Sequence, residues 1–212
     1  MRKRAVWLVI MLLWAAPGLA ETRILAFGDS LVQGYGLPQE EGFAPQLEDW
    51  LAENGKPDVE VINAGVSGDT SAGGLARIDW ALSDDPDAAI VLIGANDMLR
   101  GLPLGELRRN LDGILEALEA NGLPVLLSTV PAASNYGADY QTEFAEIYAE
   151  LAEEREAILH PNYFAGIMGV ENRDEAVKML QSDGIHPNAA GVRANIEQMG
   201  PSVLELLDRV EG

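Results

Sequence analysis

The chain has 212 residues, no cysteine, and 34 acidic against 14 basic residues, which gives a formal net charge of −20 at pH 7. The lack of cysteine excludes disulfides, thiolate catalysis and cysteine-ligated metal sites. Because the negative charge repels nucleic-acid phosphates and anionic lipid headgroups, neither nucleic acid nor a charged membrane surface is an expected partner.

The N-terminus has the pattern of an export signal. Three basic residues at positions 2–4 precede an uncharged apolar run over residues 5–16. This run is shorter than the roughly 18 apolar residues that a membrane-spanning helix needs. Gly18 and Ala20 are small residues of the kind found at A-x-A-like cleavage sites. We therefore predict a signal peptide over residues 1–20, cleaved near Ala20, with an uncleaved N-terminal anchor as the alternative.

The rest of the chain, residues 21–212, has the length of one domain with a full hydrophobic core. Short apolar runs alternate with longer segments of helical periodicity, which is typical of a parallel sheet covered by helices. The predicted strands are residues 23–27, 59–63, 88–93, 124–130 and 157–159. The predicted helices are residues 43–54, 72–82, 104–121, 140–155 and 189–210. After export we expect a monomer, periplasmic or secreted, with no stable membrane anchor.

Functional groups of an open parallel sheet gather at the carboxyl ends of its strands. Ser30 stands in the first such loop, in the run Gly-Asp-Ser-Leu at residues 28–31. A serine hydroxyl needs a neighbouring imidazole to become a nucleophile, and the chain has 2 histidines. His186 follows Asp183 by three residues in a turn rich in Gly, Pro and Asn, which can fold the carboxylate against the ring. His160 has no carboxylate so close before it, so we interpret it as a structural histidine.

Acyl transfer also requires donors for the charge that develops on the carbonyl oxygen. Two further loops carry suitable groups, because Gly68 lets backbone N–H approach a ligand and Asn96 offers a side-chain amide. Either loop taken alone is more often ordinary turn chemistry than an oxyanion site.

Taken together, four segments in this order resemble the SGNH hydrolases, also called the GDSL esterase and lipase family. They are Gly-Asp-Ser-Leu at 28–31, the Gly68 loop, Gly-Ala-Asn-Asp at 94–97 and Asp-Gly-Ile-His at 183–186. Within that family the chain is similar to the bacterial periplasmic thioesterase I, arylesterase and lysophospholipase L1 group. The resemblance covers essentially all of residues 21–212.

The resemblance implies a flavodoxin-like three-layer α/β/α sandwich with a five-stranded parallel sheet. It also implies that Ser30, His186 and Asp183 form the catalytic triad. The oxyanion hole would then consist of the Ser30 N–H, the Gly68 N–H and the Asn96 side chain. No cofactor and no metal ion is implied.

The sequence favours small esters or lipids as substrates. Apolar residues surround the expected mouth of the site, as an acyl or aryl group requires; they are Met98, Leu99, Leu102, Val130 and Pro131. We therefore expect an exported serine hydrolase of acyl or aryl esters that works through an acyl-enzyme. Thioesterase activity would be incidental, because export separates the protein from cytosolic acyl-CoA.

Other enzyme and binding classes fit less well. The chain contains no G-x-S-x-G, no P-loop and no H-E-x-x-H motif, which argues against an ordinary α/β-hydrolase, a nucleotide-binding protein and a metallohydrolase. Two alternatives share the predicted fold. One is a carbohydrate acetylesterase, and the other is a catalytically inactive relative that binds sugars or lipids.

Overall fold

A computed structural model of the protein describes residues 22–211. The predicted signal peptide and its cleavage site lie outside these residues. The strands are β1 (Thr22–Gly28), β2 (Val59–Gly65), β3 (Ala88–Leu92), β4 (Val125–Ser128) and β5 (Ile158–His160). The helices are α1 (Ser30–Gln33), α2 (Phe43–Glu53), α3 (Ser71–Ala81), α4 (Ala95–Leu99), α5 (Leu104–Ala120), α6 (Ala138–Glu154), α7 (Ala165–Met168), α8 (Arg173–Lys178) and α9 (Ala189–Glu211).

The five strands form one parallel sheet in the order β2-β1-β3-β4-β5. The chain first moves outward from β1 to β2 and then returns past β1 to β3. In a sheet of this order, the crevice at the carboxyl ends of β1 and β3 is where ligands bind, because the connections diverge there to opposite faces. Ser30 follows β1 and Asn96 lies in α4 after β3, so both residues flank this crevice.

Helices cover both faces of the sheet and complete the predicted three layers. Helices α2 and α9 pack against each other, as do α7 and α9, while α3 packs on α5 and α5 on α6. The central strand β3 is buried along its whole length. Its continuous apolar sequence, AAIVL, is typical of a parallel strand with helices on both sides.

The predicted fold class is confirmed, and the predicted strands and long helices match the observed ones within a few residues at their ends. The largest difference is at β4, which was predicted over residues 124–130 but pairs only over Val125–Ser128. Thr129 and Val130 are strand-forming residues and are buried, but neither pairs with β3, and the Thr129 backbone bonds instead to His160 and Tyr163. Four short helices, α1, α4, α7 and α8, were not predicted.

Close packing brings α1 against the ends of two strands. A side chain at Gly28 would collide with the backbone carbonyl of Leu92 in β3, and one at Gly65 with the backbone of Gln33 in α1. Only glycine at these two positions allows the helix that carries Ser30 to sit at the crevice. Within residues 22–211, no helix has both the length and the apolar character to cross a bilayer.

Candidate active site

Ser30 is the first residue of α1, and a single residue, Asp29, separates it from the end of β1. Asp29 caps this helix, since its side-chain oxygen Oδ1 accepts a hydrogen bond from the Leu31 backbone N–H at 3.1 Å. The cap satisfies one of the free N–H groups at the start of the helix. It fixes the sharp turn from strand to helix, so the Ser30 side chain is presented at the strand end.

His186 and Asp183 lie in the turn that precedes α9. One carboxylate oxygen of Asp183, Oδ1, accepts hydrogen bonds from the backbone N–H groups of Ile185 and His186 at 2.9 and 3.0 Å. The other oxygen, Oδ2, lies 2.7 Å from Nδ1 of His186. The opposite ring nitrogen, Nε2, lies 2.9 Å from Oγ of Ser30, which is 156 residues away in the sequence. The structure thus links the three predicted side chains by hydrogen bonds in the order serine, histidine, carboxylate.

The hydrogen bond with Asp183 determines which ring nitrogen of His186 is free to accept a proton from Ser30. The hydrogen bond with His186, followed by those from the two backbone N–H groups, lowers the pKa of Asp183 to about 2. Asp183 is therefore ionised at neutral pH, and an ionised carboxylate can only accept hydrogen bonds. It selects the tautomer with the proton on Nδ1, which leaves the lone pair of Nε2 directed at Ser30. The Tyr35 ring packs against the His186 ring at a centroid distance of 4.8 Å.

Gly68 and Asn96, the predicted oxyanion donors, line the same cleft as Ser30 and His186. Gly68 has a φ of +78°, a left-handed conformation that favours glycine. Its carbonyl oxygen accepts a hydrogen bond of 2.6 Å from the Arg100 guanidinium, which ties its loop to the end of α4. The Asn96 amide donates to Oδ2 of Asp29 at 3.2 Å.

Two polar networks hold the loops that carry Gly68 and Asn96. Arg77 in α3 pairs with Asp69 at 2.7 Å, donates to the carbonyl oxygens of Ala64 and Gly28, and lies 4.1 Å above the Phe27 ring. This side chain therefore joins the ends of β1 and β2 to the Gly68 loop.

The second network joins the start of α3 to α4. The buried Asp97 carboxylate accepts hydrogen bonds from the backbone N–H and the hydroxyl of Ser71 at 2.7 and 2.6 Å. Asn110 also donates to the Ser71 hydroxyl, at 3.0 Å. Because Asp97 is next to Asn96, this network fixes the backbone of the amide donor.

The cleft has a volume of about 510 Å³ and mostly apolar walls. Of the residues predicted to contact substrate, Met98, Leu99, Val130 and Pro131 line it, whereas Leu102 is not among the lining residues. Five further apolar residues, outside the set predicted to contact substrate, also line the cleft. These are Phe164, Ile167, Met168, Leu180 and Ile185. Three of them follow β5, so the strand-end rule applied to that strand would have found them.

His160, the other histidine, ends β5 and is not part of the cleft lining. It is buried, and burial lowers the pKa of its imidazole. A depression of about 560 Å³ between α2 and the edge strand β2 contains none of Ser30, Asp183 and His186. Among residues 22–211, no group of three or more histidine, aspartate or glutamate side chains is placed to hold a metal ion.

The chain as a whole matches a known protein family. The model of the GDSL-like Lipase/Acylhydrolase family matches residues 26–194. The chain is 36% identical to Esterase TesA of Pseudomonas aeruginosa over 189 residues, 89% of this chain and 90% of that protein. It is 34% identical to thioesterase 1/protease 1/lysophospholipase L1 of Escherichia coli K12 over 184 residues, 86% of this chain and 83% of that protein. The crystal structure of AlinE4, a SGNH-hydrolase family esterase, aligns with a TM-score of 0.70 and 43% identity, covering 88% of this chain and 97% of that one. The chain belongs to the GDSL-like lipase and acylhydrolase family of SGNH hydrolases, and it is a carboxylic ester hydrolase.

Proposed function

We propose that this protein is an exported, single-domain esterase that hydrolyses acyl or aryl esters through an acyl-enzyme on Ser30. The observation that carries the proposal is the hydrogen-bonded series from Ser30 through His186 to Asp183, with distances of 2.9 and 2.7 Å, beside an apolar cleft. Export rests on the predicted signal peptide over residues 1–20.

In the first half of the reaction, Oγ of Ser30 attacks the ester carbonyl carbon while Nε2 of His186 takes the hydroxyl proton. The carbonyl oxygen becomes an oxyanion, which the Ser30 and Gly68 N–H groups and the Asn96 amide stabilise. The ionised Asp183 stabilises the imidazolium. When the tetrahedral intermediate collapses, the imidazolium gives its proton to the departing alcohol or phenol, and the acyl group stays on Ser30.

In the second half, a water molecule replaces the alcohol. His186 takes one proton from this water as its oxygen attacks the acyl carbon, and the same oxyanion forms. Collapse releases the carboxylic acid and returns the proton to Oγ of Ser30. The imidazole therefore acts as base and then acid in each half-reaction.

Variants of the first two side chains test the chemistry. Ser30→Ala and His186→Ala should each lower kcat for a p-nitrophenyl ester by roughly 10⁴-fold or more, with an unchanged circular dichroism spectrum. Ser182→Ala is the matched control, because its exposed hydroxyl lies in the same turn as Asp183 but not in the cleft lining. A serine-directed phosphonate should modify the wild type at Ser30, as located by mass spectrometry. An active His186→Ala variant, or labelling at another serine, would contradict the proposed chemistry.

The cleft supports acyl or aryl groups as the part of the substrate that is recognised. Each methylene that enters an apolar groove contributes about 0.8 kcal/mol, or roughly fourfold in kcat/KM, until the groove is full. A panel of p-nitrophenyl esters from acetyl to palmitoyl, with a lysophospholipid, an acyl-CoA and acetylated xylan, measures this dependence. We expect kcat/KM to rise beyond acetyl and then level or fall. An optimum at acetyl with xylan as the best substrate would instead indicate a carbohydrate acetylesterase.

A further inference from the structure

Asp29 is a buried carboxylate with contacts on both sides of the cleft. Its side chain precedes Ser30 and is only 1% exposed to solvent. Oδ1 accepts the Leu31 N–H at 3.1 Å and so caps α1, whereas Oδ2 accepts the Asn96 side-chain N–H at 3.2 Å. The cap explains one oxygen only. The second oxygen accepts a hydrogen bond from a residue of α4 that is 67 positions away in the sequence.

The contact with Asn96 determines which way its amide faces. A carboxylate can only accept hydrogen bonds, so the amide must turn its nitrogen, and not its oxygen, towards Asp29. An amide nitrogen has two hydrogens. With one donated to Oδ2, the rotation of the side chain is fixed and the second remains for another acceptor.

From this geometry we infer that Asp29 is a positioning residue, which orients the Asn96 amide so that its second N–H is directed at the oxyanion. The inference rests on the proposed function, in which Asn96 is an oxyanion donor. Asp29 itself does not touch the reacting atoms in this role, and acts only through Asn96. It would contribute in the transition state and not to substrate binding, since the full charge of the oxyanion exists only there.

The energetics of Asp29 agree with a functional reason for keeping a charge at this position. Burial raises the pKa of Asp29 to about 6, although the hydrogen bonds from Leu31 and Asn96 lower it in part. A neutral side chain that caps the helix, such as serine or asparagine, would avoid this cost of burying a charge. A capping role alone therefore does not require a carboxylate, whereas fixing the amide nitrogen of Asn96 does.

Two substitutions of Asp29 separate orientation from capping. In Asp29→Asn, the new oxygen can keep the Leu31 N–H, but the new NH₂ then faces Asn96 and forces its amide to turn an oxygen to Asp29. The hydrogen bond survives with its direction reversed, so the fold is retained while the oxyanion donor is misplaced. In Asp29→Ser, the shorter hydroxyl still caps α1 but does not reach Asn96, which becomes free to rotate.

We expect kcat to fall by about 100-fold in Asp29→Asn and by about 10-fold in Asp29→Ser, with KM changed less than about threefold in both. Asn96→Ala should lower kcat by about 100-fold or more. The decisive measurement is a double-mutant cycle with a p-nitrophenyl ester. If Asp29 acts through Asn96, each double variant should be no slower than Asn96→Ala alone, within about threefold.

Other outcomes would contradict either the positioning role alone or the proposed oxyanion hole as well. If the losses from Asp29 and Asn96 multiply in the double variants, or if Asp29→Asn retains wild-type kcat, the positioning role is wrong but the proposed function stands. If Asn96→Ala itself retains wild-type kcat, the proposed oxyanion hole is wrong and the inference fails with it. Thermal unfolding of each variant checks the fold. Should Asp29→Asn not fold, the cycle with Asp29→Ser decides by the same criterion.

Discussion

Replacing Asp183 by asparagine should damage catalysis more than replacing it by alanine. The reason is that the two carboxylate oxygens have different partners. Oδ1 accepts the backbone N–H groups of Ile185 and His186 at 2.9 and 3.0 Å, and Oδ2 faces Nδ1 of His186 at 2.7 Å. Asparagine has one oxygen, which the two backbone donors will retain. Its NH₂ group then takes the place of Oδ2 and presents a hydrogen to Nδ1.

A donor facing Nδ1 selects the wrong tautomer of His186. The ring proton moves to Nε2, the nitrogen that lies 2.9 Å from Oγ of Ser30, and the ring can no longer accept the serine proton. In serine proteases the equivalent exchange lowers kcat by about 10⁴-fold. The Asp183 side chain is 36% exposed, so water competes with the amide, and we expect a loss of about 10³-fold to 10⁴-fold here. Alanine leaves room for a water molecule that accepts a hydrogen bond from Nδ1–H. The loss of kcat in Asp183→Ala should therefore be at least about tenfold smaller than in Asp183→Asn.

Initial rates with one p-nitrophenyl ester rank the variants by activity. Nitrogen NMR shows which ring nitrogen of His186 carries the proton in each variant. Since the chain has only 2 histidines, the ring nitrogens of His186 can be assigned by comparison with a His160→Gln variant. The wild type should show a protonated Nδ1, and Asp183→Asn a protonated Nε2. The reasoning would be refuted if Asp183→Asn kept Nδ1 protonated, or if it were faster than Asp183→Ala. Thermal unfolding controls for a loosened turn, because alanine also removes the two backbone hydrogen bonds.

Two further predictions concern stability and export. Folding raises the pKa of Asp29 to about 6, so this carboxyl group holds its proton more tightly in the folded state. The free energy of unfolding should therefore fall as pH rises from about 4 to 6, and Asp29 should contribute on the order of 3 kcal/mol to that fall. The charged groups that act on this carboxylate are His186 and Asp69. Asp29→Asn should remove this part of the pH dependence of the free energy of unfolding, measured with urea. A variant in which that free energy changes between pH 4 and 6 as steeply as in the wild type would contradict the prediction. Protein recovered from the periplasm should begin at or near Glu21 on N-terminal sequencing, whereas full-length protein in the membrane fraction would support an anchor.

Much of the fold could be predicted because the periodicity of apolar residues and the positions of helix-ending residues agree along the chain. Helix α5 ends at Ala120 and is followed by the sequence Asn-Gly-Leu-Pro, which predicts the end of a helix. The short helices could not be predicted in this way. Helix α4, with the sequence ANDML, has only five residues and too few turns for a periodic signal. It is held by tertiary contacts, such as the bond between Asp97 and Ser71, which the local sequence does not encode.

The sequence predicts the residues of the candidate site but not the contacts between them. The chemistry of an activated hydroxyl predicts both Ser30 and His186. They are 156 residues apart, however, and come into contact through the packing of α9, which follows His186. Asp29 shows the limit of a motif. Its position before Ser30 is plain in the sequence, but a capping aspartate is expected at the start of any helix. Its second partner, Asn96, is brought to it by the pairing of β1 with β3, and only that register reveals a carboxylate with two different uses. A role that depends on which atom faces which neighbour is therefore invisible to residue type and spacing.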